Sequence, residues 1–181
     1  MSLYRQLWIG VVTLMILVFA GSFAVNLYSA KSYLEQQLYT QSMDNASSLA
    51  LSMTQQSKDD VTAELLVSAL FDSGHFRQVR YTDIHGRVVV DRINRNPPDR
   101  VPDWFVRAIT IHAAAGTALV SDGWKQAGTV HVLAHDRFAY QSLWEGTLSL
   151  LAWTMAAFVA LGFLTMLFLN GIRRPLALMV K

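Results

Sequence analysis

Two histidines four residues apart, His131 and His135, come closest to a chemical site in this 181-residue chain. On a strand such a spacing places both side chains on one face, where a pair of imidazoles can ligate a metal ion. No third ligand stands beside them, and a solvated hairpin face accounts for them equally well. His75, His85 and His112 are scattered and read as turn or surface residues. Asp59 and Asp60 sit where a helix should start, and Asp83 and Asp91 at strand ends, so their spacing does not converge on a paired-carboxylate centre. Nucleophilic catalysis lacks its parts, because the chain has no Cys and no G-x-S-x-G elbow. No Gly-rich phosphate loop occurs either, and no cofactor or metal is expected.

The residue that stands out is Trp124, in the run Ser121-Asp122-Gly123-Trp124-Lys125-Gln126. Asp122-Gly123 is a hairpin turn signal, and turn positions normally carry small polar residues. A tryptophan there is either an anchor for a protein partner or a ring folded back over the core. The residues alone leave both open, with Asp122, Gly123 and Lys125 as its companions.

These residues belong to a chain whose apolar residues, 52% of the total, are concentrated at its ends. An uncharged stretch lies between Arg5 and Lys31 and another between Glu145 and Arg173. Either can cross a hydrocarbon core of roughly 30 Å, and spans are expected at 6–28 and 147–170. A cleavable leader would end near Ala20-Gly21-Ser22, but the apolar run continues through Phe23, Ala24 and Val25. Trp8 and Tyr28 suit the two interfacial belts. Arg5 precedes the first span, Arg173, Arg174 and Lys181 follow the second, and all 13 acidic residues lie between them. That asymmetry places both termini (1–5 and 171–181) in the cytoplasm and 29–146 outside it, in a bacterial inner membrane. Basic residues in the intervening segment nearly balance the acidic ones, and no basic stripe is interleaved with aromatics, so nucleic acid is not an expected partner.

Between the spans, Leu34, Leu38, Ala46, Leu49, Ala50 and Met53 fall at helical spacing, which continues the first span as a stalk over 31–53. Ser57 and Asp60 have the spacing of a capping box, and Val61, Leu65, Leu66, Ala69 and Leu70 give a second helix that Gly74 closes. The period then becomes two around Val79 and Tyr81, with a turn at His85-Gly86 before Val88-Val89-Val90. Asn96, Pro97, Pro98, Asp99 and Pro102 make a breaker-rich loop before a short helix around Trp104–Ile109. A second hairpin follows, Thr117–Ser121 with Thr129–His135, and then a helix from Phe138 to Trp144 that enters the second span. The domain is α+β in the order αα-ββ-α-ββ-α, of the size of a PAS or Cache domain.

Several separated segments carry a resemblance. Met1-Ser2-Leu3, Ala20-Gly21-Ser22-Phe23, Glu64-Leu65-Leu66-Val67-Ser68, Phe71-Asp72-Ser73-Gly74, Val101-Pro102-Asp103-Trp104-Phe105-Val106-Arg107 and Gly123-Trp124-Lys125-Gln126-Ala127 are similar, in order and spacing, to the N-terminal membrane and periplasmic portion of LapD-type cyclic-di-GMP receptors. The resemblance covers essentially the whole chain. It implies a periplasmic output domain, commonly dimeric with exchanged elements, that sequesters a LapG-like periplasmic cysteine protease. Cyclic di-GMP bound by a degenerate EAL domain inside the cell would act through a HAMP helix, sparing a surface adhesin and favouring biofilm. The protease-binding Trp of these receptors falls on Trp124. The HAMP region beyond its first residues and the GGDEF-like and EAL-like modules are absent, which implies a front segment or a shortened product that does not itself bind the nucleotide. The rival readings are a ligand-sensing input domain of a sensor kinase or diguanylate cyclase, and a phosphodiesterase with its catalysis downstream; the first requires a pocket with convergent polar groups.

Overall fold

In the computed structural model, residues 3–56, 59–95 and 101–176 are described. Ser57 of the expected capping box and Asn96–Asp99 of the breaker-rich loop lie outside them, as do the side chains of Arg5, Trp8, Arg173 and Arg174. The chain divides into two compact units, one ending at Leu143 and the other starting at Trp144. Helix α1 runs Leu3–Gln56 and α2 Asp60–Asp72. Strands β1 (Phe76–Asp83) and β2 (Val88–Ile93) precede the short α3 (Asp103–Ala108). Strands β3 (Gly116–Asp122) and β4 (Lys125–Ala134) lead to α4, Arg137–Leu176. The protein is therefore α+β, with the element order its sequence predicts.

The four strands form one antiparallel sheet in the order β2-β1-β4-β3. One sheet face carries Phe76, Val79, Tyr81, Val90, Val120, Val130 and Val132, and packs on Ala46, Leu49, Ala50 and Met53 of α1 with Ala63 and Val67 of α2. In α1 the residues buried to the end of the domain, Leu38, Ser42, Ala46, Leu49, Ala50 and Met53, recur every three or four positions, as one helical face must.

The ends of α2 and the end of β4 bear on the expected boundaries. Helix α2 starts at Asp60 with Asp59 as its N-cap and no side-chain cap bond. Ser73 is the C-cap, and Gly74, with φ of 77°, closes the helix as expected, donating its N–H to the Phe71 carbonyl at 3.1 Å. Strand β4 ends at Ala134, so His135 is not a strand residue; it is buried, at 4% exposure, while His131 sits on the opposite sheet face beside Arg80. The two imidazoles do not share a face, because the chain leaves the pleat at Ala134 to begin α4.

Both candidate spans are helical, and most of their described apolar side chains are exposed. The most apolar stretch of α1 is 0% buried and that of α4 6%. A core helix of a soluble protein would be mostly enclosed, whereas these two are uncovered and long and apolar enough to cross a membrane.

Candidate functional site

Strands β3 and β4 extend further towards their tip than the sequence alone suggests. Asp122 pairs with Lys125, which leaves Gly123 and Trp124 as the two central turn residues. The turn is thus centred one residue later than the Asp122-Gly123 signal. The reason lies in the backbone: Gly123 has φ of 62°, the left-handed conformation that primed two-residue turns require at their first central position and that glycine takes without steric cost.

This geometry excludes a Trp124 ring folded back over the core. At the second central position the side chain leaves the tip away from the sheet, and Trp124 is fully exposed. Asp122 and Lys125 flank it, also exposed, with opposite charges. The base of the hairpin is fixed. Val120 is buried in the core, the register shifts between Val120 and Ser121, and Ser121 donates its N–H to Thr54 Oγ1 of α1 at 3.2 Å. A hairpin anchored at its base therefore presents a bare indole. A tryptophan can bury about 150–250 Å² on contact, which at ~25 cal/mol per Å² is on the order of 5 kcal/mol before the costs of association.

The opposite sheet face has a half-open cavity of ≈ 200 Å³ lined by Gln78, Arg80, Thr82 and His131, among others. Three of its polar side chains, Arg80, Gln78 and Thr82, are already engaged within the protein. Arg80 donates to Asp91 Oδ2 through Nε (3.1 Å) and Nη2 (2.8 Å), Gln78 Nε2 donates to Asp91 Oδ1 at 2.8 Å, and the Thr82 hydroxyl donates to the Thr129 carbonyl at 3.2 Å. Burial pushes the Asp91 carboxyl up, but the hydrogen bonds from Arg80 and Gln78 and the Arg80 charge outweigh it and hold it below the usual carboxylate range. Among the described residues no three His, Cys, Asp or Glu side chains come together as a metal site.

Sequence reasoning missed Ser42, which is fully buried between α1 and the hairpin. Its signal was available: a serine stands on the apolar stripe of α1, four residues from both Leu38 and Ala46.

An α+β domain flanked in sequence by two long apolar helices, with an exposed aromatic at a hairpin tip, has the make-up of the extramembrane domain of a membrane protein. The chain belongs to the LapD/MoxY periplasmic domain family, which matches residues 23–144. It is also 41% identical to a solved structure titled as the Pseudomonas fluorescence LapD periplasmic domain, over 68% of this chain and 98% of that one, with a TM-score of 0.40. The relation rests on the sequence identity and the family match. A comparison with curated proteins gives no match. The protein is accordingly an inner-membrane protein with a periplasmic segment, and that segment is a receptor and signalling domain.

Proposed function

We propose that the domain at 29–146 captures a periplasmic cysteine protease of the LapG type, with Trp124 as the anchor and Asp122, Gly123 and Lys125 around it. Capture would be governed from inside the cell by cyclic di-GMP, through spans at 6–28 and 147–170 and a HAMP-like helix beginning near 171. Both termini would be cytoplasmic, and two copies would pair so that one arrangement presents both Trp124 tips. Holding the protease spares a surface adhesin and promotes biofilm.

One observation carries this reading: the side chain at the hairpin tip is a fully exposed tryptophan on a strand pair anchored at its base. An indole left in water is the residue type that dominates interface hot spots. The cavity on the other sheet face favours contact over ligand sensing, because Arg80, Gln78 and Thr82 are already satisfied internally.

The test is retention of the purified protease on membranes containing the receptor. Trp124→Glu is expected to weaken retention by on the order of thirtyfold or more, the loss a hot-spot residue gives. Undiminished retention would overturn the assignment.

A further inference from the structure

Strand β3 is an edge of the sheet, and an edge strand presents unpaired N–H groups that must find partners. In this protein α1 supplies partners for two of them. Thr117 donates its N–H to Met43 Sδ at 3.4 Å, and Ser121 to Thr54 Oγ1 at 3.2 Å. Just before the strand, His112 donates to Glu35 Oε1 at 2.8 Å. From the neighbouring strand, Ala134 donates its N–H to Ser42 Oγ at 3.0 Å, while the same hydroxyl donates to the Leu38 carbonyl at 2.8 Å. The rungs run from Glu35 to Thr54, about 28 Å of helix at ~1.5 Å per residue.

In the middle of this ladder the two backbones touch. A Cβ placed on Gly116 would lie 2.2 Å from the Ser42 carbonyl carbon and 2.3 Å from the Met43 nitrogen. The atoms it would meet are main-chain atoms that cannot swing aside, so only glycine lets β3 approach α1 this closely.

The ladder also has a single register. Sliding α1 by one turn would bring Leu38 or Ala46 to the place of Ser42, and neither has a side-chain acceptor. The Ala134 N–H, buried with its residue at 1% exposure, would then lose its partner.

We propose that Ser42 and Gly116 are positioning residues which lock the β3–β4 hairpin to α1, so that Trp124 follows the first membrane helix as part of one body. The consequence for signalling rests on the reading of Trp124 as the protease anchor; the mechanical statement does not.

The test uses the whole chain in lipid nanodiscs. Because it has no Cys, spin labels can be placed cleanly at Asp44→Cys on α1 and Leu119→Cys on β3, both exposed. A control pair, Val61→Cys on α2 and Ile93→Cys on β2, reports on the remainder of the domain. The unsubstituted joint should give one narrow α1–β3 distance. Gly116→Val should broaden it and shift its mean by up to ~5 Å, about one helical turn, with the control pair unchanged. Protease retention should fall about tenfold, the effect of one lost buried hydrogen bond. If Gly116→Val disturbs the control pair as well, Ser42→Ala takes its place, since it removes one acceptor without introducing a clash. Unchanged α1–β3 distances in both variants overturn the joint. Unchanged retention in Trp124→Glu, with altered distances in the joint variants, overturns the protease reading and leaves the joint standing.

Discussion

Arg80 grips Asp91 through two guanidinium nitrogens, Nε at 3.1 Å and Nη2 at 2.8 Å, directly across the β1–β2 pairing. Because the folded state holds this carboxyl below its usual range, the pair stabilises the fold above the unfolded carboxylate pKa of ~3.9, and that contribution disappears as the pH falls through the folded value. Both side chains are partly exposed, so the effect is modest. Asp91→Asn should cost about 0.5–1 kcal/mol at pH 7 and progressively less below about pH 4. Urea unfolding of the two proteins at pH 7 and pH 3 measures it; a difference independent of pH would refute it.

Met53 is wholly buried where α1 meets the sheet, whereas Val61 on α2 is 72% exposed. Met53→Ala should therefore lose about 2–4 kcal/mol and Val61→Ala less than about 0.5. Chemical denaturation monitored by tryptophan fluorescence distinguishes them.

Gly123 has its positive φ with open space around the position of a Cβ. The cost of a side chain there is conformational and not steric crowding. Gly123→Val should destabilise the turn by about 1–2 kcal/mol, while Gly123→Asn, which tolerates the left-handed region, should cost clearly less. Equal losses in the two variants, read as hydrogen exchange of the β3–β4 amides, would contradict the turn geometry.

Residues 29–146 are proposed to face the periplasm and both termini the cytoplasm. In spheroplasts, a thiol reagent that cannot cross the inner membrane should label Lys125→Cys at once, and a cysteine added at either terminus only after the membrane is permeabilised. Prompt labelling at a terminus would reverse the assigned orientation.

Apolar spacing made the helices and both hairpins legible, since a period of 3.6 along α1 and of two along β1 and β4 follows from which faces are buried. Elements whose boundaries depend on backbone detail were less so. The turn of the second hairpin moved one residue because Gly123 takes the left-handed position, and His135 left the strand because α4 begins at Arg137. Trp124 was visible as an anomaly from its neighbours, but its exposure required the turn geometry. The β1–β4 pairing that sets the strand order has no local signature. Ser42 and Gly116 stand 74 positions apart in the numbering, and only folding brings them into contact.

Helix α1 runs through 54 residues without interruption, and a helix carries angle as well as position. Between Tyr28 and Tyr33 the side chains are exposed or half-exposed, and it is their number that the geometry constrains. One inserted residue would turn Ser42 by about 100° relative to the membrane, whereas seven would restore its azimuth to within ~20°. The count of residues in this stretch, more than their identity, sets the compass bearing on which the tip tryptophan is displayed.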